Sequence, residues 1–524
     1  MREAFGSGQR PRCIARCALR GFRSAESATA LLLALAAVSY LFVYVRTYSQ
    51  YPSDDAFIHL RIARNFVLHG TPYYNAGEAV GGSSSPLWTV AIAALFRYFG
   101  ERVAPVAPLE FLLTAGVFGM CIWVLRERLS PIGAVSAAFL IVAMYLASVA
   151  AGSMETPAAL LCLLASLIPL RKGHRVRFGF LSALAVLLRY ELAAWLMIGF
   201  LLNRGLKAKA QHIAGAVTPL LLGAAFNVYY FGALIPNTVW AKSRVYRLSM
   251  DDFLTAMGTN PVGLVLFVAV NALVFGAAVR RGSATWVRAM AIFPVVLFGL
   301  YCAARAFIFP WYWPLMLVPL ALSALLVFPA RVPYLPLLLL VALPSYPIAT
   351  AKEAYGLLAG NPTFFREFIA AARVRQYLRI GEDLERLMPT AVLMSSEIGA
   401  LGWTFPGRVV DAAGLVSPEC LKYHPLRVPE ERSRGTLGAI PPRAVRDLAP
   451  DVVVSMETFS EAFRRQIAAG AITDYVLFRT YPVIGDADFA RSGVHAVWGS
   501  RSTQVYLRRS SYRCLDSVCE HPLR

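Results

Sequence analysis

"ATALLLALAAVSYLFVYV" (28–45) runs almost directly into "YPSDDAFIHLRIARNF" (51–66), and this junction decides the fold. An uncharged apolar run of that length forms a helix that crosses the hydrocarbon core of a bilayer. Two adjacent acids, Asp54 and Asp55, then sit where the chain has just left the membrane, followed by His59, Arg61, Arg64 and Asn65. Taken alone, the pair reads more readily as a helix start than as a site, because Ser53 and Asp54 are both good N-caps.

Outward from that junction, apolar runs near twenty residues recur until about residue 350. The 524-residue chain is 57% hydrophobic, with a mean hydropathy of +0.54. This is an α-helical polytopic membrane protein. The net charge of +20 does not point to nucleic acid, because much of it lies in short Arg/Lys clusters between apolar runs. Arg2, Arg10, Arg12, Arg16, Arg20 and Arg23 precede the first run and should hold residues 1–25 in the cytoplasm. That tail resembles the basic start of a signal peptide. The run after it is too long, and no small-residue cleavage site is evident, so 26–48 is expected to be an uncleaved first span.

Further spans are expected at 106–125, 131–150, 155–170, 177–188, 190–203, 212–232, 259–279, 286–303, 306–328 and 332–349. The basic clusters at 126–131, 171–177, 203–212 and 280–282, with Arg331, all fall on the cytoplasmic side on two conditions. The short run at 85–100 must dip into the membrane without crossing, and 177–203 must make two short crossings that meet near Arg189. This gives eleven crossings, with a transmembrane domain over 26–350. The soluble tail over 351–524 is then extracytoplasmic.

That topology gathers the remaining polar segments on one outer face: the loop 49–105, "AGSMETP" (151–157), "LRYE" (188–191), "LIPNTVWAKSRVYR" (234–247) and "ARAF" (304–307). Ionisable residues at membrane depth are costly and usually functional. The face offers the acids Asp54, Asp55 and Glu155 and the cations Arg189, Lys242, Arg244 and Arg305. A carboxylate beside fixed cations suits transfer from a phosphate-activated donor. The acid deprotonates an acceptor hydroxyl, and the cations stabilise the phosphate as it leaves.

Each residue also has a plainer reading. Arg189 and Glu191 could form a structural ion pair, and "ETP" at 155–157 could start a helix. Lys242 and Arg244 could be snorkelling interfacial residues. Segment 56–69 is expected to be helical. Its apolar residues spread over most of the helical wheel, which suits a helix wedged between lipid and protein better than one lying on a surface. "GTPYYNAGEAVGGSSSPLW" (70–88) reads as a turn-rich loop.

The stretch "DDAFIHLRIARNFVLHGTPYYNAGEAVGGSSSPLW" resembles the first outer loop of GT-C glycosyltransferases. It is most similar to the branch of the mycobacterial terminal arabinofuranosyltransferase and related bacterial arabinosyltransferases. The matching residues are Asp54 to Ile58, Arg61, Ala63, Asn65, Gly70, Asn75, Gly77, Glu78, Val80, Gly82, Leu87 and Trp88. Later patches match at Gly152, Glu155 and Thr156, at Arg189 and Glu191, and at Pro236, Asn237, Thr238, Ala241 and Lys242. In the tail, "EIGALGWTFPGRVVDAAGLVSPE" and "LAPDVVV" resemble the extracytoplasmic domain of that branch. The chain departs from it at "VGGSSSP", where relatives more often carry a Tyr-Thr pair.

The resemblance implies inverting transfer of a sugar, arabinofuranose in that branch, from a polyprenyl-phosphate donor. The acceptor would be a glycan, a lipid-linked glycan or a protein, and the setting a bacterial cytoplasmic (inner) membrane. The base would be Asp55, one residue deeper past the Ser53 position, with Asp54 the alternative. Arg189 and Lys242 would face the lipid phosphate, and Arg244 and Arg305 would add to that anion site. Glu191, His59, Arg61, Asn65 and Asn237 would support it. Some GT-C enzymes hold a divalent cation between two outer-loop acids, and Glu155 could supply the second. Lipid-monophosphate donors often manage without one, so no cofactor is expected. Two other classes compete: a transporter or flippase of a lipid-linked sugar, and a non-catalytic lipid-binding relative. A transporter should show an inverted internal repeat, and none is visible.

In the tail, 368–388 reads as an amphipathic helix, and "AVLMSSEIGALGW", "RVVDAAGL" and "DVVVSMETF" as short buried strands. That alternation suggests a small α/β domain. Glu397 and Asp411 lie near strand ends, where ligands often bind and where turn caps are also common. The domain is expected to contribute to acceptor binding. Cys514 and Cys519 could close a small disulfide in an extracytoplasmic tail, and Cys121, Cys162 and Cys302 read as inert core residues.

Overall fold

A computed structural model describes residues 10–245, 247–251, 253, 261–328, 346–426 and 438–511, with side chains from residue 25 onward. Within these residues the chain is a largely helical bundle carrying a mixed sheet near its C-terminus. Six segments are long and apolar enough to cross a membrane: Ala25–Tyr48, Val106–Leu125, Leu206–Phe231, Pro261–Arg280, Thr285–Ala304 and Pro310–Val327.

The other expected spans that are described form helices shorter than these six. The run at 131–150 breaks at Leu146 into helices Pro131–Tyr145 and Ala147–Ala151. Ser130 starts the first of these by accepting a hydrogen bond from the Gly133 amide, with Pro131 at the first helical position. Residues 155–170 form helix Thr156–Lys172, closed by a left-handed Gly173. Residues 177–203 do form two short segments meeting at Arg189. Helix Arg175–Leu188 ends there on extended backbone, and a 3-10 turn Tyr190–Leu192 leads into Ala193–Leu202. The run at 85–100 is the fourteen-residue helix Pro86–Phe99, too short to span at about 1.5 Å per residue. Most of the expected span 332–349, Arg331, and Cys514 with Cys519 lie outside the described residues.

The tail sheet has the order β2-β1-β3-β5-β4. The strands are β1 (Leu393–Ser395), β2 (Val409–Asp411), β3 (Val452–Met456), β4 (Tyr475–Pro482) and β5 (Ser502–Arg508). β1 runs parallel to β2 and β3, whereas β5 is antiparallel to β3 and β4. The first three strands are buried throughout, as expected for strands covered on both faces. Alternate residues serve different cores. Leu393, Val409, Val452, Val454 and Leu507 join the large core shared with the bundle. Met394, Val410, Val453 and Tyr506 pack with Ile440, Val445 and Phe463 in a second cluster.

Helix Asp54–His69 lies in the seam between these parts. It packs against helix Pro86–Phe99 on one side and the short tail helix Gly399–Thr404 on the other. Phe57, Ile58, Leu60 and Ile62 are all buried, and only its last turn is exposed. The wheel lacks a clean stripe because protein covers several sides, so the wedge is between two protein layers and not against lipid.

Candidate active site

Most of the polar residues singled out in the first outer loop bind backbone groups of the tail. Arg61 is buried, and its Nε donates to the Tyr74 carbonyl at 2.9 Å. Its other nitrogens donate to the carbonyls of Gly402, of Phe405 at 2.9 Å and of Gly407 at 3.1 Å. Asn65 holds the Tyr73 and Tyr74 carbonyls at 2.8 and 3.0 Å. Asn75 pairs with Val409 at the edge strand in both directions, at 2.9 and 3.0 Å. Asn237 donates to the carbonyls of Gly414 and Leu415 at 2.7 and 2.8 Å. Gly82 approaches the tail so closely that a Cβ there would lie 2.6 Å from Val416 Cγ1. Arg61 and Asn237 thus have a docking role that their sequence positions did not reveal, while Asn65 braces the first outer loop on itself.

The adjacent aspartates part company in the same seam. The Asp54 carboxylate accepts from the Gly399 amide at 3.0 Å through Oδ2 and from the Ala400 amide at 2.9 Å through Oδ1. It caps the tail helix Gly399–Thr404, supplying acceptors for amides that have none within the helix. Ser53 precedes helix Asp54–His69 but makes no side-chain cap there. A cap had been expected at this position, and it is made, but to a helix roughly 345 residues away in sequence. Position 399 must be glycine, since a Cβ would fall 1.8 Å from the Asp54 carbonyl oxygen.

Asp55 lines a cavity of about 550 Å³ between bundle and tail, a size suited to a small ligand. The bundle contributes Phe307, Phe309 and Trp311, and the tail contributes Arg373, Glu397 and Trp498. Burial pushes Asp55 up to about 6, with Asp54 and Glu155 adding to the rise, while Lys242 and Arg373 oppose it. A carboxylate so shifted is ionised at neutral pH and close enough to its midpoint to take a proton.

Beside the cavity is a second buried group. Arg189 donates from one terminal nitrogen to Glu155 Oε1 and from Nε to Glu191 Oε1, each at 2.7 Å. Its guanidinium lies 4.2 Å from the centre of the Tyr312 ring, and Tyr301 donates to Glu191 at 3.2 Å. Glu155 is 2% exposed, and its Oε2 has no hydrogen-bond partner. His59 Nε2 lies 3.9 Å from Oε2. The other ring nitrogen of His59 is 3.1 Å from Ser83 Oγ and 3.4 Å from Thr89 Oγ1. Burial holds His59 below its ordinary range, although the Glu155 charge works the other way.

Arg189 is engaged by both glutamates, so it is not a free anion ligand, although Glu155 Oε2 is left unpartnered. Lys242 is different: its Nζ is 3.4 Å from Ser84 Oγ, and it lies within electrostatic reach of Asp55 and Glu191. Arg244 is exposed and Arg305 half-buried, and neither lines the cavity. Arg305 instead ends its helix in the left-handed region, and its carbonyl accepts from the Leu248 amide. Lys242 does not line the cavity either, but of the expected cations it is the one left within electrostatic reach of Asp55.

For a divalent cation the acids do not fit. Asp54 is committed to two amides, and Glu155 holds Arg189 through Oε1, which leaves its Oε2 as the one open oxygen of that pair. Among the described residues no group of three His, Cys, Asp or Glu side chains could hold a metal ion. Of the two tail acids, Asp411 caps its own turn, accepting from the amides of Ala413 and Leu415 at 2.8 and 2.5 Å. Glu397 lines the cavity.

Several cavity residues, among them Phe309, Trp311, Arg373 and Trp498, escaped the sequence reading. "FIFPWYW" (307–313) carried a signal, because so dense an aromatic cluster at the start of an apolar run is unusual. Arg373 and Trp498 carried none: one is an arginine on an arginine-rich amphipathic helix, the other a lone tryptophan in a loop.

A scan against family models finds no match for the chain, and a comparison with curated proteins finds none either. Among solved structures the chain is similar to ArnT from Cupriavidus metallidurans. With ArnT bound to undecaprenyl phosphate the TM-score is 0.48 at 13% identity, over 93% of this chain and 98% of that one. With apo ArnT the TM-score is 0.49 at the same identity and coverage.

Proposed function

We propose that the protein is a membrane glycosyltransferase that moves a sugar from a polyprenyl-phosphate donor to an acceptor hydroxyl, with inversion and with Asp55 as general base. The observation that carries this is the division of labour between the adjacent acids. Both acids line the aromatic-walled cavity, but the Asp54 carboxylate is held by two backbone amides, whereas Asp55 lies within electrostatic reach of Lys242. The ordered resemblance of the loop 54–88 to GT-C arabinosyltransferases supports the same reaction and supplies arabinofuranose as the sugar.

In this mechanism the Asp55 carboxylate takes the proton of the acceptor hydroxyl. The acceptor oxygen bonds to the anomeric carbon on one face, and the bond from that carbon to the phosphate oxygen breaks on the other. Polyprenyl phosphate leaves with the electron pair. Lys242 offsets the charge that grows on it. The Glu155–Arg189–Glu191 group fixes the floor around Lys242 without itself binding phosphate. The site opens to the extracytoplasmic face, and the glycan, lipid-linked glycan or protein acceptor enters from the tail side.

The test is transfer from a synthetic prenyl-phosphoryl arabinofuranose by the full-length protein, comparing wild type with Asp55→Asn. Loss of transfer with donor binding retained supports the assignment. Undiminished transfer by a folded Asp55→Asn protein removes Asp55 from the mechanism, and failure to bind any prenyl-phosphate sugar removes the enzyme reading.

A further inference from the structure

The end of the bundle away from Asp55 carries cations that the transfer reaction does not use. Helix Arg175–Leu188 ends at Arg189 beside the active site, so its start lies about 20 Å away at about 1.5 Å per residue. Two glycines press it against helix Leu206–Phe231. A Cβ at Gly179 would fall 2.1 Å from the His212 carbonyl oxygen, and one at Gly215 would fall 1.9 Å from that of Val176. Helix Ala193–Leu202 completes the junction. His212 is buried where the three meet. Its Nε2 donates to the Leu196 carbonyl at 3.1 Å, and its ring lies 5.1 Å from Phe178 and 6.3 Å from Phe200.

The chemistry of this junction runs against the usual rules for helix starts. A helix normally opens on a capping side chain and on acids, which suit the positive end of its dipole. Helices Arg175–Leu188 and Leu206–Phe231 have no side-chain cap and no acid in the first turn. In those turns stand Arg175 and Arg177, and Lys207 and Lys209. Residues 156–190 and 192–250 contain no Asp or Glu, whereas Arg171 on the preceding loop is paired with Glu127. Arg175 lies within electrostatic reach of His212, and Lys209 Nζ is 5.1 Å from the centre of the Phe200 ring, so both cations stay at the junction. In the link before helix Leu206–Phe231, Asn203 is 2% exposed, and neither its Oδ1 nor its Nδ2 has a partner. Positive-inside bias accounts for cations on this side, but not for two uncapped helix starts and a stranded amide behind them.

We propose that this junction binds an anionic phospholipid, whose phosphate takes the uncapped helix starts and the cations Arg175 and Lys209. Helix N-termini and clustered cations at a membrane surface both select a phosphate. Rotation of the Asn203 side chain adds Nδ2 to the same anion. The flanking surface selects a lipid over a soluble phosphate. Leu206 is 85% exposed and Leu201 66%, and Val176 and Phe180 are exposed beside the cations. An apolar rim next to an anion site suits acyl chains. The bound headgroup supplies the negative charge that both helix starts lack. The site is separate from the cavity, so it stands or falls independently of the transferase reading.

The experiment is native mass spectrometry of the full-length protein in detergent micelles doped with phosphatidylglycerol or with phosphatidylcholine of the same chains. Wild type should bind phosphatidylglycerol in preference, and inorganic phosphate should not displace it. Arg175→Gln combined with Lys209→Gln should weaken that binding about thirtyfold, the scale of two cations at a lipid surface. Arg97→Gln combined with Arg244→Gln removes the same charge from exposed side chains on other helices and should leave binding near wild type. Asn203→Ala keeps every charge and should still weaken binding about fivefold, the scale of one hydrogen bond. Circular dichroism checks that each variant is folded. Equal binding of the two lipids by wild type overturns the proposal. Equal loss in the two double variants also overturns it, because that marks a diffuse field and not a site. So does full binding by folded Asn203→Ala. Displacement by inorganic phosphate overturns the lipid assignment in favour of a soluble anion.

Discussion

Replacing Asp55 by asparagine should abolish transfer and make the protein more stable. In the folded state Asp55 is raised from 3.8 to about 6, chiefly by burial. The folded state therefore favours the protonated form, and ionising the group at neutral pH works against folding. The sign follows from proton counts. Between about pH 4 and 6 the folded chain holds a proton that the unfolded chain releases, so this contribution falls as pH rises and levels off above 6. A shift of this size costs at most about 3 kcal/mol at pH 7.5 and about 1 kcal/mol at pH 4.5. Asp55 is partly open to the cavity, and water there screens some of the cost, leaving about 2 kcal/mol at neutral pH. Asparagine carries no charge and escapes it. Thermal unfolding of wild type and Asp55→Asn in detergent should show the variant more stable at pH 7.5, with the gap narrowing at pH 4.5. A gap that is absent, reversed or independent of pH would refute the account of Asp55 as a desolvated carboxylate.

Several other measurements bear on the same seam. Transfer should rise about tenfold per pH unit below pH 6 and flatten above it, since only ionised Asp55 accepts a proton. Lys242→Met should move that midpoint upward by about one unit, because the cation that holds Asp55 down is gone. Asp54→Ala should lower stability by about 1–2 kcal/mol through loss of the cap on Gly399 and Ala400, seen as a drop in unfolding temperature, the opposite sign to Asp55→Asn. Arg61→Met removes the donor to the Gly402, Phe405 and Gly407 carbonyls of the tail and should cost about 3 kcal/mol, read as faster protease cleavage of the tail. Arg244→Ala should leave donor binding and transfer near wild type, because that side chain is exposed and away from the cavity.

Hydropathy alone established the membrane bundle. Burying twenty apolar residues is a local property of a run, so the segment at 106–125 could be read to the residue. Local chemistry also showed the break at Arg189 and the helix start after Glu155. Charge bias and motif order brought Asp54, Asp55, Glu155, Arg189 and Lys242 to one neighbourhood, and the helical and strand pattern of the tail was equally legible. What adjacent residues do there was not legible. Asp54 and Asp55 have the same chemistry and the same sequence context, and they separate because Gly399 and Ala400, far along the chain, each offer an amide to one of them. Arg61 and Asn237 read as site residues, yet most of the carbonyls they hold belong to tail turns that no local pattern connects to the first loop, and Asn65 holds two carbonyls of that loop itself. Arg189 looked like a phosphate ligand until two glutamates from different segments were seen to neutralise it. Sequence by itself determines what each segment can bury. The choice of partner for each buried charge depends on contacts across the whole chain, and only the tertiary structure decides it.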